Sequence, residues 1–401
     1  MAKKSIGKAA KKNPRKAGEK PREARENAPG ADRGLGEDLL ASRLEEPLEG
    51  TWDTLSWSKA FGHLPVMVDQ TMECLNVKAD GFYVDCTLGG GGHARAILER
   101  LGENGRLLGL DVDPEALKWA QAWGQGDKRL SLARLSFDRL EECLREKDLG
   151  LADGLVVDLG FNSRQLFDQK RGFAFSLNGP LDMRLNPSLP ITAGQIVNGY
   201  PEPKLSEIFW RYGEERSAKK LARLIVQRRD REPINNTLEL AALVEKALYR
   251  PGPKPKIHPA TKVFMALRLA VNGELEVLEK FLAQARSCLT LGGIIVIISF
   301  HSLEDRLVKL SFRGETVENA DPLDGLKTSG KPAFAGGPKS KKGHFHKAKQ
   351  ERIITPDDLK EAPKPQSPYR LLHKKALVAT EAQIMDNPRS RSAKLRAAQA
   401  V

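Results

Sequence analysis

Three aspartates in this chain each follow a short apolar run: Asp85 after Phe82-Tyr83-Val84, Asp111 after Leu107-Leu108-Gly109-Leu110, and Asp158 after Leu155-Val156-Val157. Glycines crowd the first of them, in Asp85-Cys86-Thr87-Leu88-Gly89-Gly90-Gly91-Gly92-His93. Glycines between a strand and a helix let a ligand approach the backbone, and the helix start offers free N–H groups. The segment is not a P-loop, because the Gly-Lys-Ser/Thr ending is absent. It does fit a G-x-G-x-x-A spacing at Gly89, Gly91 and Ala94, so a dinucleotide site stays open. The carboxylates weigh between the two. Asp85 beside the glycine turn would oppose a pyrophosphate, but it suits the ammonium or sulfonium of S-adenosylmethionine. Asp111, about 20 residues beyond the glycines, can accept ribose hydroxyls of either cofactor. Asp158 would also end at the carboxyl edge, where open α/β sheets bind ligands. Three carboxylates on one edge favour a cationic cofactor. The competing role for each is a turn or helix cap, and it fits best at Asp113, which precedes Pro114.

Two further clusters could serve a substrate. The first runs from Asp158 through Phe161-Asn162-Ser163-Arg164-Gln165-Leu166 to Arg171-Gly172-Phe173 and Gly179-Pro180-Leu181-Asp182-Met183-Arg184. A planar base held out of its stack needs apolar or aromatic faces, and Phe173 and Phe175 are candidates, with loop-anchoring core as the alternative. Asp182 and Arg184 also read as an ordinary ion pair. The second cluster is Ser299-Phe300-His301-Ser302-Leu303-Glu304-Asp305-Arg306. His301 could accept a proton or orient a target amine, while Ser302 reads equally as a helix cap.

Elements must hold these residues in place. Runs at Phe82–Cys86, Leu107–Leu110, Leu130–Leu135 and Gly154–Leu159 read as strands, separated by helical patterns. Such alternation implies a parallel sheet with helices on both faces. Residues ~190–290 break it and read as helices over Lys204–Tyr212, Glu214–Arg229, Thr237–Tyr249, Pro259–Val271 and Glu274–Leu289, with Arg250–Lys256 as a Pro-rich divider. Arg216, Arg223, Arg228, Arg229, Arg231 and Arg268 there could contact phosphates or simply form solvated faces. Gly293–Ser299 returns to a buried strand.

The 401 residues carry a net charge of +13 and are 40% hydrophobic, enough apolar material for a core. The charge suits a polyanionic partner, as does a soluble protein with a basic tail. Residues 1–25 hold ten Lys/Arg and two Asp/Glu, and 26–50 reverse this with two and seven, a pattern of disorder. No apolar run reaches the ~18 residues of a membrane helix, and no secretory h-region is present. The scattered Cys74, Cys86, Cys143 and Cys288 fit a reducing cytoplasm and give no zinc signature. His344 and His346 in the Lys-rich stretch lack a supporting ligand cluster, so no metal is expected.

Taken in order, these motifs closely resemble the ribosomal small-subunit RNA methyltransferase H family (RsmH, also called MraW). The matching segments begin at His63-Leu64-Pro65-Val66-Met67. They continue through the glycine turn, the Asp158 loop, Gly179–Arg184, Tyr212-Gly213-Glu214-Glu215-Arg216, His258-Pro259-Ala260-Thr261 and Ser299–Arg306. They end at Asn387-Pro388-Arg389-Ser390-Arg391-Ser392-Ala393-Lys394-Leu395-Arg396. The resemblance implies a Rossmann-like α/β methyltransferase sheet with an inserted all-helical substrate domain. It implies N4-methylation of a cytidine in the decoding region of 16S rRNA within the small ribosomal subunit, in the cytoplasm, with S-adenosylmethionine as donor and a homodimer allowed. Carried over by motif, cofactor contacts fall on Gly91, Gly92, His93, Asp111, Phe137, Asp158 and Gln165, with Asp85 added from its charge. Asp158 and His301 are the catalytic candidates. The expected organisation is a charged extension over 1–60, the sheet's first part over 61–185, a helical insertion over 186–290, and its second part over 291–401 with a basic loop at about 314–365. One departure stands out. The family loop reads D-L-G-[VA]-S-S-x-Q-L, often with proline before the glutamine, whereas Phe161, Asn162 and Arg164 stand here.

Overall fold

The computed structural model describes residues 64–249, 258–315 and 367–401. The N-terminal extension, the Arg250–Lys256 divider and nearly all of the 314–365 loop, with His344 and His346, lie outside the described residues.

The strands are β1 (Phe82–Asp85), β2 (Arg106–Asp111), β3 (Leu130–Arg134), β4 (Ala152–Asp158), β5 (Leu289–Ser299), β6 (Tyr369–Leu371), β7 (Leu377–Val378) and β8 (Lys394–Ala400). They form one sheet in the order β3-β2-β1-β4-β5-β8-β6, with β7 paired to β8. The first five are parallel, with Val84 opposite both Leu108 and Leu155 and Val157 opposite Ile297. β8 runs antiparallel beside β5, with Val296 opposite Ala397. The chain therefore builds outward from β1 to β3 and then returns to the other side of β1. The reversal leaves a crevice at the carboxyl ends of β1 and β4, the usual ligand position in such sheets.

Burial on both faces explains the unbroken apolar runs of these strands. One face carries Val84, Leu108, Leu155, Val157, Ile295 and Ile297, covered by α4 (Leu140–Glu146), α11 (Glu274–Gln284) and α12 (Ser302–Ser311). The other carries Tyr83, Leu107, Val156, Val296 and Ile298 under α1 (Val68–Leu75), α2 (Gly92–Leu98) and α3 (Pro114–Trp123). Asp113 caps α3, accepting the Glu115 N–H at 3.1 Å, with Pro114 at the first helical position. Short α5 (Ser163–Phe167) follows β4.

Between β4 and β5 lie α6 (Ala193–Gly199), α7 (Glu202–Arg211), α8 (Ala218–Arg229), α9 (Thr237–Leu248) and α10 (Ala260–Asn272). They bury a separate core around Leu205, Phe209, Leu221, Ile225, Val244 and Leu267. The sequence places helix starts and ends less well than helices. α8 begins at Ala218 rather than Glu214, because Glu214 sits in a left-handed turn at φ 46°. The helix expected to reach Leu289 stops at Gln284, and Leu289 opens β5. Moreover, Leu275, Leu278 and Phe281 of α11 pack on the sheet, not on the helical core. The all-helical cluster thus closes at α10. α13 (Glu381–Asp386) precedes β8, and α13 is capped by Thr380 paired with Gln383.

Leu155 is fully buried at the centre of the sheet. Leu155→Ala should destabilise the protein by about 2–5 kcal/mol. Urea unfolding of the full chain measures this, and a loss under about 1 kcal/mol would contradict the packing described.

Candidate active site

A cavity of about 420 Å3 opens over the carboxyl edge of the sheet. That volume lies in the range of small-molecule sites. The turn after β1 forms its floor through Cys86–Gly90, Gly92 and His93, and Asp111, Asp158 and Phe300 mark the ends of β2, β4 and β5. Backbone bonds tie these ends together. The Cys86 N–H donates to the Val156 carbonyl at 2.8 Å, the Leu88 N–H to Leu110 at 2.8 Å, and the Asp158 N–H to Thr87 Oγ1 at 2.6 Å. Glycine is required at two places here. A side chain on Gly92 would strike Pro65 at 2.5 Å, and Gly91, at φ 77°, would strike the Trp123 ring at 2.6 Å.

The aspartates hold unusual states. Asp85 is buried; its Oδ1 accepts the Thr87 N–H at 3.1 Å, and its Oδ2 has no partner among the described residues. Burial pushes its carboxyl up to about 7, and the neighbouring Asp111 adds to the shift. Asp158 Oδ1 is likewise buried and unpartnered. Burial raises Asp158 to about 8 against the opposing charge of Arg389, with Asp85 and Glu304 pushing the same way as burial. Asp111 rises to about 6 for the same first reason, although its oxygens accept the Gly89 and Asp113 N–H groups, each at 2.8 Å. His93 Nε2 lies 3.1 Å from the Val66 carbonyl, and burial holds the ring neutral by lowering it to about 4.

Most of the expected residues meet at this cavity, and the structure places the others around it. Gly92, His93, Asp111, Phe137, Asp158 and Gln165 line the cavity. Gly91 does not; its role is to turn the chain in front of Trp123. Asp85 is buried and is not among the lining residues. Gln165 is held by two bonds, its Nε2 donating to Asp113 Oδ2 at 2.8 Å and its Oε1 accepting the Asn162 N–H at 3.0 Å, which leaves a second N–H on the amide. It shapes the loop, as the partner of Asn162 in a reciprocal cap. His301 is the cap of α12 in place of Ser302 and is not among the lining residues. Its Nδ1 accepts the Glu304 N–H at 3.4 Å, and its Nε2 lies 3.0 Å from Glu304 Oε1 but off a good hydrogen-bond line.

The aromatic wall also differs from expectation. Phe173 is buried in the helical core, and Phe175 stacks on His258 with ring centres 4.8 Å apart. Phe161 lines the cavity instead, stacked on Phe173 at 5.3 Å, with the Arg268 guanidinium 4.9 Å from its centre. The Arg268 guanidinium is paired with Glu274, at 2.8 and 3.0 Å. Phe137 packs edge-on against Phe281 at 5.2 Å while bordering the cavity. Asp182 and Arg184 form the plain ion pair, at 2.7 Å. Sequence reasoning gave no role to Arg389 or Glu304, both of which reach the cavity. Each lies in a motif already noted, but nothing in the spacing aims it at a site.

This edge suits a cationic donor such as S-adenosylmethionine. Among the described residues, one buried carboxylate oxygen of Asp85 and one of Asp158 lack partners. Asp111 offers a carboxylate to a ribose, and Phe137 and Leu135 supply an apolar border. A pyrophosphate would face the same carboxylates unfavourably, which weighs against the dinucleotide reading.

Comparison with known proteins follows the same line. Residues 60–332 and 339–401 match the profile described as the MraW methylase family. The ribosomal RNA small subunit methyltransferase H of Syntrophobacter fumaroxidans is 40% identical over 344 residues, 84% of this chain and 96% of its own length. The protein of that name from Nitrosospira multiformis is 46% identical over 256 residues, 64% of this chain and 80% of its own. Among solved structures, an rRNA methylase from Streptococcus thermophilus aligns at a TM-score of 0.30 and 9% identity, covering 88% of this chain and 99% of its own, too distant to argue from.

The raised carboxyls predict how stability varies with pH. Asp85 and Asp158 titrate near 7 and 8 when folded, against an ordinary value of 3.8. Between about pH 4 and 8 the folded state therefore binds more protons than the unfolded one, and stability falls as pH rises, by at most about 1.4 kcal/mol per pH unit for each carboxyl. Asp158→Asn should flatten this fall and raise the melting temperature at pH 8.5 by roughly 2–4 °C over the unsubstituted chain. Thermal melts of both proteins from pH 5 to 8.5 check it; parallel curves would refute the buried-charge account.

Proposed function

This chain belongs to the MraW methylase family, and we propose that it transfers the methyl group of S-adenosylmethionine to N4 of a cytidine in the decoding region of 16S rRNA. The observation that carries this reading is Asp158. It presents a carboxylate at the switch-point edge, with one oxygen unpartnered among the described residues, in a cavity also walled by Phe161 and Phe300.

When bound, S-adenosylmethionine supplies an electrophilic methyl carbon on a cationic sulfur. Asp111 would accept its ribose hydroxyls, Phe137 would border its adenine, and Gly92 and His93 would meet it through the turn after β1. Asp85 would balance its positive charge from beneath. Phe161 and Phe300 give the target base apolar faces once it leaves its stack.

An exocyclic amine is a weak nucleophile because its lone pair spreads into the ring. Asp158, by accepting one of its N–H groups, returns electron density to the nitrogen and fixes the line of approach. The new N–C bond forms as the S–C bond breaks. The nitrogen then sheds one proton toward the carboxylate. For this, Asp158 must be ionised, and a cation bound beside it pulls its titration down from the raised value of the free protein.

The substrate reading draws on the names of the relatives and on charge. Arg211, Arg216, Lys219, Lys220, Arg223 and Arg231 are exposed along α7, α8, the turn between them and the turn after α8. Each such residue placed on a phosphate strengthens binding by counterion release. Small ribosomal subunits in the cytoplasm would be the natural target. An assembly factor without catalysis would bind the same RNA but leave it unmethylated.

The full chain, labelled S-adenosylmethionine and unmodified small ribosomal subunits should together yield N4-methylcytidine on nucleoside mass analysis. Asp158→Ala should lower the rate by at least about 100-fold while S-adenosylhomocysteine still binds. Undiminished activity in that variant would sink the assignment, and label in another nucleoside would replace the target.

A further inference from the structure

The C-terminal segment delivers one more charge to the cavity. Arg389 stands in the turn between α13 and β8, more than 220 residues beyond the loop it touches. Its Nη1 donates to Ser163 Oγ at 2.7 Å, and its Nη2 donates to the Phe161 carbonyl. The guanidinium carbon lies 5.4 Å from the centre of the Phe161 ring. Both sides of the segment are pinned. Asn387 Nδ2 donates to the Leu64 carbonyl at 2.9 Å, Ser390 is buried, and Lys394 and Arg396 pair with Asp305 at 3.0 and 2.7 Å. Arg389 is therefore presented on a rigid frame rather than on a free tail.

We propose that Arg389 is a positioning residue for Asp158: it grips the loop after β4 and brings a cation to the cavity wall that Asp158 shares. The proposal rests on the reading that Asp158 accepts the target amine. Geometry makes the case: Arg389, Asp158, Phe161 and Glu304 line one cavity, and Arg389 is bonded to Phe161 and Ser163, just beyond Asp158 in the chain. Asp85 on β1 and Glu304 on α12 both oppose its ionisation, and Arg389 is the cation that favours it. Arg268 on α10 is committed to Glu274 on α11, and His301 sits on Glu304. Without Arg389, two neighbouring carboxylates and burial would all hold a proton on Asp158. The same guanidinium fixes the backbone of Phe161, the residue that replaces a small one in the family pattern. Its grip on both the carbonyl and the ring lets the bulkier side chain stand as a wall without closing the loop over Asp158.

A pH profile separates this role from a merely structural one. Loss of the cation raises the Asp158 titration, so the acid limb of kcat/KM moves to higher pH. For Arg389→Gln the shift should be about one pH unit, and kcat at neutral pH should fall more than KM for S-adenosylmethionine changes. Arg389→Lys keeps the charge and should return the limb to its original position, with kcat still reduced because two hydrogen bonds become one. S-adenosylhomocysteine binding reports that each variant is folded. If R389Q turns over too slowly to profile, the pH dependence of its S-adenosylmethionine affinity reads the same titration. An acid limb, or affinity profile, at the original pH in R389Q would overturn the proposal. Failure of the unsubstituted chain to methylate RNA would instead overturn the reading on which it rests.

Discussion

Three carboxylates at the carboxyl ends of adjacent parallel strands impose the constraint on which this molecule turns. A buried carboxylate without a partner is costly, and the ordinary response is protonation. Asp85 and Asp158 respond that way, and burial raises Asp111 as well, although its oxygens accept the Gly89 and Asp113 N–H groups. A sheet selected for stability alone would put apolar or neutral residues at these ends. The arrangement makes sense when a cationic ligand supplies the missing countercharge. Stability forgone in the free protein then returns as affinity and as a reactive carboxylate.

Everything around that edge serves to hold it. The switch in strand order opens the crevice, the glycine turn brings backbone to the ligand, and Thr87 ties the turn to Asp158. Helices α6–α10 build a core of their own, in which Phe173 packs, and α10 carries Arg268; both meet Phe161 at one flank of the cavity. The C-terminal segment closes another flank through Arg389. The loop after β4 is consequently gripped from several sides. Phe161 stacks on the helical core, Gln165 bonds Asp113 at the start of α3, and Ser163 meets Arg389.

Much of this was legible in the chain itself, for identifiable reasons. Parallel strands buried on both faces read as plain apolar runs, so β1, β2 and β4 and the aspartates that end them stand out. Caps obey local rules, which is why Asp113 before Pro114 reads correctly. What escaped depends on contacts distant in sequence. The Trp123 ring that leaves no room for a side chain at Gly91 lies on the next helix. His301 looks like a base, yet Glu304 one turn on makes it a cap. Phe173 and Phe161 share one loop, and only the helical core decides which faces the cavity. Arg389 could not be placed at all without the fold. In the altered loop Asn162 caps α5 through Gln165, in a reciprocal pair that needs no proline at position 164.

The most direct test of the central claim is a count of protons. Calorimetric titration of the full chain with S-adenosylmethionine near pH 7.5, repeated in buffers of different ionisation enthalpy, measures protons exchanged on binding. The carboxylate edge predicts net release, as a cation forces Asp85 and Asp158 to ionise, and less release for S-adenosylhomocysteine, whose sulfur is neutral. Equal proton exchange for both ligands, or none for either, would contradict it.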